Sequence, residues 1–148
     1  MMHIALFQPE IAQNVGTLLR FGACMSVKIH IIEPCGFLMT DTKLRRAGMD
    51  YADLAQMERY PSWDIFRERG PKGRLLATTP QGTEAYHTFH YKSDDIILMG
   101  QESVGLPQAI IDACDTSLKI VMVPGTRSLN VAISAAMIAG EAIRQTKG

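Results

Sequence analysis

Short runs of apolar residues alternate along this chain with longer stretches that have the spacing of amphipathic helices. The apolar runs are bounded by turn-forming residues and predict buried strands at 3–7, 28–32, 74–78, 96–99 and 119–123. The helical stretches cover 14–25, 63–69, 107–113 and 129–145, and a further turn of helix is predicted at 42–47. Strands that alternate with helices favour an α/β fold, in which a parallel sheet is covered by helices on both faces.

One domain, residues 1–148, is expected, because 148 residues are enough to bury a single core. No apolar run approaches the roughly 20 residues that a membrane span needs, and the first residues lack the pattern of a signal peptide. The three cysteines, Cys24, Cys35 and Cys114, are far apart and have no metal-ligand spacing. We therefore expect reduced and mostly buried thiols, no metal, no membrane and a cytoplasmic location.

The charge of the chain does not by itself predict a nucleic-acid partner. The 15 basic and 15 acidic side chains cancel, whereas nucleic-acid-binding proteins usually carry a basic excess. Basic residues do gather between Lys43 and Arg74, but acidic residues are mixed among them. A solvated face of mixed charge explains that region at least as well as a binding surface.

The first predicted helix has two distinct faces, and Asn14 can cap its N-terminus. The residues with the spacing of a core-facing stripe are Val15, Leu18, Leu19 and Gly22. Gly16 and Arg20 are four residues apart and share another face, where the glycine would let a ligand or a second backbone come close. A capped surface helix with a solvated arginine is the simpler interpretation.

The last predicted helix combines an apolar stripe with small neighbouring residues. The stripe consists of Val131, Ala135, Ile138 and Ala142, and the small residues beside it are Ala136, Ala139 and Gly140. Small residues permit close packing of helices, which would suit a dimer interface. Ser128 and Asn130 lie where the helix begins, and either of them could simply cap it.

Several common chemistries do not fit this sequence. Gly100 and Gly105 have the glycine spacing of a phosphate loop, but Leu106 and Pro107 stand where that loop needs Lys and Ser or Thr. No G-x-G-x-x-G follows the first strand, which argues against dinucleotide binding. No G-x-S-x-G is present for a serine hydrolase, and the histidines and cysteines lack metal-ligand spacing.

Three segments carry a more specific signal when they are considered together: 14–20 (NVGTLLR), 98–107 (LMGQESVGLP) and 123–132 (VPGTRSLNVA). In this order and at these separations they resemble motifs one, two and three of the SPOUT superfamily of RNA methyltransferases. Three further segments, 8–11 (QPEI), 30–34 (HIIEP) and 44–51 (LRRAGMDY), resemble the subfamily that methylates the wobble nucleotide of leucine tRNA at position 34. The resemblance extends over nearly the whole chain.

The resemblance implies both a fold and a cofactor. The C-terminal segment would be threaded through a loop of the parallel sheet as a trefoil knot, and the loops of the knot would bind S-adenosyl-L-methionine (AdoMet). By motif position, the implied cofactor-binding residues are Thr78, Gly82, Gly100, Glu102, Ile120, Ser128 and Leu129. Glu102 has a simpler interpretation as a structural anion near the helix that starts at Pro107. The chain departs from the usual subfamily pattern at Ile133 and Gly140, where asparagine and tyrosine are common.

The implied activity is the transfer of a methyl group from AdoMet to the ribose 2'-hydroxyl of that tRNA nucleotide. The residues implied in catalysis are Asn14, Arg20, Glu102, Ser128 and Asn130. Arg20 would contact the adjacent phosphate and stabilise the developing oxyanion, and a role as base is left open. The two asparagines and Ser128 would orient the ribose and the loop around it.

The implied partners are a leucine tRNA and a second copy of the chain. The candidate RNA contacts are Arg45, Arg46 and Arg127, and the homodimer would form through the first and last helices. Two alternatives stay open. One is 2'-O-methylation of another tRNA or rRNA nucleotide, and the other is a non-catalytic RNA-binding protein of the same fold.

Overall fold

The computed structural model describes residues 1–46, 49–54 and 56–147. The strands in that part of the chain are β1 (His3–Phe7), β2 (Lys28–Ile32), β3 (Met57–Tyr60), β4 (Leu75–Thr78), β5 (Glu84–Ala85), β6 (Ile96–Met99) and β7 (Thr116–Lys119). The helices are α1 (Ala12–Met25), α2 (Asp41–Arg46), α3 (Tyr51–Leu54), α4 (Trp63–Arg69), α5 (Gln108–Asp112) and α6 (Val131–Lys147).

The described strands form one parallel sheet in the order β3-β2-β1-β6-β4-β7-β5. In β1, Ile4 pairs with Ile29 of β2 on one side and with Ile97 of β6 on the other. The spatial order is not the chain order, since β6 lies between β1 and β4, and β7 lies between β4 and β5. Because these strands are parallel, the loops that follow neighbouring strands meet at one edge of the sheet. Ligands of parallel α/β proteins usually bind at that edge.

Two hydrophobic cores cover the sheet, because successive residues of a strand point to opposite faces. On one face, Ile4 packs in a cluster with Leu18 of α1 and Ile138 of α6. On the other face, Ala5 belongs to a cluster that contains Phe66 of α4. The predicted α/β fold, with a parallel sheet and helices on both faces, is confirmed.

The last predicted strand lies earlier in the chain than the sequence pattern indicates. The pattern predicts 119–123, whereas β7 covers Thr116–Lys119. Pairing with β4 sets this position, since Thr78, the last residue of β4, pairs with Leu118. The apolar residues after β7 therefore leave the sheet, and Val121 and Val123 are exposed.

Three short elements, β3, β5 and α3, are not predicted from the sequence. β3 lies at the edge of the sheet and exposes Glu58 and Arg59, so it lacks the apolar signal of a buried strand. β5 has only two residues, and α3 only four. The predicted turn at 42–47 is present as α2, and its last position lies outside the described residues.

Two further expectations concern the burial of the cysteine thiols and the presence of a membrane-spanning helix. Cys24, Cys35 and Cys114 are free thiols, but Cys24 is exposed, so the prediction of mostly buried thiols is wrong for it. Burial raises the pKa of Cys35 and of Cys114 to about 11. Within the described ranges, no helix has both the length and the apolar character needed to cross a membrane.

Candidate active site

The start of α1 depends on a carboxylate from a distant part of the chain. Ile11 occupies the N-cap position, and its side chain makes no capping hydrogen bond. Glu102, in the loop after β6, accepts hydrogen bonds from the backbone N–H groups of Glu10 (2.9 Å) and Ile11 (2.8 Å). A carboxylate at this end of a helix satisfies unpaired amides and interacts favourably with the helix dipole. Glu102 thus stabilises the start of α1.

The contact between these two segments is reciprocal. Glu10 accepts hydrogen bonds from the backbone N–H of Ser103 at 2.9 Å and from its hydroxyl at 2.7 Å. These two hydrogen bonds lower the pKa of Glu10 below its usual value. The loop after β6 and the segment before α1 are therefore joined by one carboxylate in each direction.

A chain of side-chain hydrogen bonds continues from Glu102 to the start of α6. Asn14 donates from Nδ2 to Glu102 Oε2 at 3.2 Å, and its Oδ1 accepts from Asn130 Nδ2 at 3.0 Å. Asn130 Oδ1 accepts from the backbone N–H groups of Ala132 (2.8 Å) and Ile133 (3.2 Å). The three segments that resemble family motifs thus meet at one place in the structure.

This hydrogen-bond chain decides between the interpretations of its two asparagines. Asn14 lies inside α1 and is 6% exposed, so the prediction that it caps this helix is wrong. The physical reason is that α1 begins two residues earlier, at Ala12, so the amides that an Asn14 cap would satisfy lie inside the helix. Asn130 does cap its helix, as one of the two interpretations of that residue expects.

The loop that carries Glu102 is closed by a tight backbone contact. Gln101 and Gly105 exchange backbone hydrogen bonds of 3.2 and 2.9 Å. A Cβ atom on Gly100 would lie 2.4 Å from the carbonyl carbon of Gly105, which itself has a positive φ of 71°. The loop itself therefore requires both glycines. A larger residue at position 100 would displace this loop, and Glu102 with it.

The residues expected to bind the cofactor lie in loops at the carboxyl ends of β4, β6 and β7. Thr78 ends β4, and Gly82 lies so close to β7 that a Cβ atom would be 2.4 Å from the carbonyl carbon of Leu118. Ile120, the first residue after β7, is half-buried. Among the described residues, Thr78 Oγ1 is the buried side-chain polar atom without a hydrogen-bond partner. Such an atom usually has a partner that is a ligand or an ordered water.

The segment between β7 and α6 is exposed from residue 121 to residue 130. It contains Ser128 and Leu129, and also two exposed valines, Val121 (64%) and Val123 (73%). Apolar side chains exposed together in a loop indicate a surface that binds a ligand or a partner. Only the end of the segment is fixed by the hydrogen-bond chain described above, through Asn130.

Arg20 lies apart from the other residues implied in catalysis. Its position in α1 relative to Asn14 puts the two side chains on different faces of the helix. Arg20 Nε donates to both carboxylate oxygens of Asp53 in α3, at 2.8 and 2.9 Å. Arg20 Nη2 lies 3.9 Å from Asp50 Oδ2. One chain therefore does not bring Arg20 together with Glu102, Asn14 and Asn130.

Both members of the Arg20–Asp53 pair are charged. The hydrogen bond with Asp53 raises the pKa of Arg20 further above its usual value. Burial opposes ionisation of Asp53, but hydrogen bonds from the backbone of Asp50 and from Arg20 outweigh it and lower the pKa of this carboxyl group. The contact therefore favours the protonated form of Arg20.

Two acidic residues of this region were not among the residues singled out from the sequence. Asp53 follows Asp50 with the spacing of a capping box at the start of α3, and this local pattern could have identified it. Glu10 lies in the segment 8–11 that resembles the subfamily, but its contact has no local signal, because its partner Ser103 is 93 residues away along the chain.

The three arginines proposed to contact RNA are all exposed. Arg45 and Arg46 end α2, and Arg127 lies in the loop before α6. Over the part of the chain that the structure describes, no group of three or more His, Cys, Asp and Glu side chains could hold a metal ion.

Comparison with known proteins agrees with the motif segments. The model of the SpoU rRNA Methylase family matches residues 1–140. A tRNA (cytidine(34)-2'-O)-methyltransferase of Ancylobacter novellus is 46% identical over 147 residues, which cover 98% of this chain and 93% of the relative. A solved structure described as giving insights into the 2-OH methylation of C/U34 on tRNA is 37% identical, with a TM-score of 0.88, and the match covers 98% of this chain and 95% of that one.

The fold is shared more widely than the sequence. An AdoMet-bound rRNA methyltransferase of Sinorhizobium meliloti is 24% identical, with a TM-score of 0.83, and the match covers 97% of this chain and 56% of that one. These matches confirm the family resemblance of the three motif segments. The chain belongs to the SpoU rRNA Methylase family, whose model matches residues 1–140.

Proposed function

We propose that this protein transfers a methyl group from AdoMet to the ribose 2'-hydroxyl of nucleotide 34 of tRNA, with leucine isoacceptors as substrates. The observation that carries the proposal is the hydrogen-bond chain from Glu102 through Asn14 to Asn130, which joins the three motif segments. A tRNA target is favoured over rRNA because this chain covers 93% of its tRNA-modifying relative but 56% of the rRNA methyltransferase.

The residues at the carboxyl ends of β4, β6 and β7 fit AdoMet, which supplies an activated methyl group. Thr78 offers a buried hydroxyl that has no partner in the described structure, and the exposed side chains of Val121 and Leu129 can cover an adenosine ring. The other residues of the proposed pocket are Gly82, Gly100, Glu102, Ile120 and Ser128. In this pocket Glu102 would act indirectly, because it keeps the loop and the start of α1 in register.

In this proposal Arg20 acts by its charge. A guanidinium that Asp53 keeps protonated can contact a phosphate and stabilise negative charge on the ribose oxygen. The hydroxyl proton therefore leaves to water or to a base other than Arg20. Asn14 and Asn130 are bonded to each other, so we assign to them the positioning of the loop that ends at Asn130, and Ser128 remains the candidate for contact with the ribose.

We propose that the active unit is a homodimer. Within a single protomer, Arg20 lies on a different face of α1 from Asn14, which bonds to Glu102 and Asn130. Exposed apolar side chains support this, with Ile11 at the start of α1 46% exposed and Ile133 on α6 54% exposed. Gly140 is exposed on α6, and a Cβ atom there would meet open space. Ala139, by contrast, is fully buried and belongs to the core.

The dimer is tested by light scattering of Gly140→Arg, which can be accommodated in a single chain but would block close packing of α6. We expect the variant to be a folded monomer that binds tRNA less tightly than the wild type. Gln108→Arg, at an exposed position of α5, is the matched control and should remain dimeric. A monomeric wild type with full activity would contradict this part of the proposal.

The strand order supports a trefoil knot as part of the same proposal. β7 lies between β4 and β5, and the chain must return from there to start α6 beside α1. An experimental chain trace through 78–95 and 119–131 would test the threading.

A cytoplasmic location belongs to the same proposal, supported by the bacterial tRNA-modifying relative and the free cysteines.

The reaction is tested by incubating the purified protein with labelled AdoMet and either total tRNA or rRNA, followed by nucleoside mapping. We expect label in tRNA, in a 2'-O-methylated nucleotide at position 34 of leucine isoacceptors. Label at another tRNA position or in rRNA would correct the target and keep the reaction. RNA binding without any transfer would instead support the non-catalytic alternative.

A further inference from the structure

We propose that Asp53 is a positioning residue for methyl transfer, because its carboxylate orients the guanidinium of Arg20 and keeps it charged. The inference rests on the proposed function, in which Arg20 stabilises charge on the ribose oxygen. Asp53 lies outside the three motif segments, in the short helix α3.

The geometry of the contact fixes the plane of the guanidinium. Both oxygens of Asp53 lie near the same atom, Arg20 Nε, at 2.8 and 2.9 Å. A contact at Nε restricts a side chain that would otherwise have many rotamers. The Arg20 side chain is 54% exposed and that of Asp53 is 2% exposed, so the buried carboxylate is the fixed partner.

The carboxylate is itself held in place by the start of α3. The backbone N–H of Asp53 donates to Asp50 Oδ1 at 3.0 Å, and the backbone N–H of Asp50 donates to Asp53 Oδ2 at 3.2 Å. This reciprocal pair is a capping box, which sets the direction of a helix start. Behind it, the carbonyl of Gln56 accepts from Ile29 N of β2 at 2.8 Å, so the α3 region is anchored to the sheet.

The charge at position 53 is more than the helix start requires. An uncharged asparagine could accept the same backbone hydrogen bond, whereas a buried carboxylate is costly unless a cation pairs with it. The cation here is Arg20, which is the functional arginine of the proposal. Asp50 is less suited to this role, because its side chain is 66% exposed and lies 3.9 Å from Arg20 Nη2.

The test compares Asp53→Asn with Asp95→Asn, which removes the charge of another buried partner of an arginine. Turnover, AdoMet affinity and the midpoint of urea unfolding are measured on each variant. The RNA is whichever one the wild type methylates, so a wrong target nucleotide leaves this comparison valid. We expect Asp53→Asn to lower kcat about tenfold or more, with AdoMet affinity within about twofold of the wild type. Asp95→Asn should lower the unfolding midpoint and leave kcat within about twofold.

A double variant separates positioning from structure. If Asp53 acts through Arg20, then Arg20→Ala with Asp53→Asn should be no slower than Arg20→Ala alone, within about twofold. Multiplicative losses in the double variant, or a wild-type kcat in folded Asp53→Asn, would overturn the proposal. A wild type that transfers no methyl group to any RNA would overturn it as well, together with the proposed function.

Discussion

The pairs Arg20–Asp53 and Arg74–Asp95 are built alike, yet their arginines have different surroundings. In both pairs the aspartate side chain is buried, 2% and 0% exposed, and the arginine Nε donates to it at 2.8 to 2.9 Å. Arg74 also donates from Nη2 to Asp95 Oδ2 (2.8 Å) and to the carbonyl of His90 (3.0 Å), and it lies 5.0 Å from the centre of the Phe89 ring. The side chain of Arg20 is 54% exposed, against 31% for Arg74.

The difference shows how one type of contact can serve two purposes. Arg74 and Asp95 directly precede β4 and β6, so their pair joins the starts of two neighbouring strands. Arg20 and Asp53 join two helices on one face of the sheet and leave half of the arginine at the surface. We therefore expect loss of the first pair to affect stability and loss of the second to affect methyl transfer.

The largest effect is expected for Arg74→Ala, which removes the cation from the buried carboxylate of Asp95. The free energy of unfolding should fall by about 3–5 kcal/mol, because an unpaired buried charge is strongly destabilising. Turnover per folded molecule should stay within about twofold of the wild type. Urea unfolding followed by circular dichroism measures the first quantity, and a transfer assay on the folded fraction measures the second.

The matched control for that variant is Arg144→Ala, which breaks a surface ion pair with Glu141. Because the Arg144 side chain is 71% exposed, the loss of unfolding free energy should be much smaller than for Arg74→Ala. If folded Arg74→Ala lost turnover more than tenfold, the distinction between the two buried pairs would not hold.

A smaller effect is expected for Arg20→Lys, which keeps a cation next to Asp53 but removes the planar guanidinium. A lysine cannot present two terminal nitrogens while a third one contacts the carboxylate. We expect turnover to fall about tenfold, which corresponds to about 1.4 kcal/mol, with little change in unfolding free energy. Arg74→Lys is the control and should leave turnover unchanged. Equal turnover in the two variants would remove the functional difference between the pairs.

A pH-dependent effect is expected for His30, a buried group that stays neutral, unlike the two pairs. It is 3% exposed and contacts His3 and the Tyr60 hydroxyl, each at 2.9 Å. Burial lowers the pKa of His30 from 6.5 to about 3. Between these pH values the unfolded chain binds a proton that the folded chain does not. The contribution of His30 to the free energy of unfolding is therefore complete above pH 6.5. It is lost as the pH falls towards about 3, by roughly 1 kcal/mol per pH unit.

Urea titrations at several pH values between 7 and 4 measure that slope. His30→Gln keeps a polar side chain but has no titrating ring, so its slope should be smaller than that of the wild type. An equal slope in both proteins would assign the acid sensitivity to other groups.

The sequence predicts the elements of this fold where hydrophobic burial alone determines them. The predicted strands at 3–7, 28–32 and 96–99 have the observed bounds, because both faces of these strands are buried and their apolar runs are continuous. The shift of β7 could not be predicted, because its register is set by pairing with β4 and not by its own side chains. The apolar residues 121–123 look like a strand in sequence, but they lie in an exposed loop.

The site was predicted in part, for a related reason. Asn14, Glu102 and Asn130 come from separate motifs, and the structure brings them into one hydrogen-bond chain. The sequence could not show that Asn14 is buried inside α1, because the helix begins earlier, at Ala12, where Glu102 binds the preceding amides from far along the chain. Nor could the sequence show that Arg20 lies apart from this hydrogen-bond chain, since the position of its side chain depends on where α3 packs.

The stabilisation of the α1 start by Glu102 also has a consequence for biosynthesis. The carboxylate and the amide of Ile11 are 91 residues apart in sequence, and Asn14 and Asn130 are 116 apart. While the chain is being translated, α1 leaves the ribosome long before either partner has been made. Contacts of such long range form late, because the chain must first close a large loop. A nascent chain can therefore bury part of its sheet early, but it can assemble this hydrogen-bond chain only after Asn130 has been released.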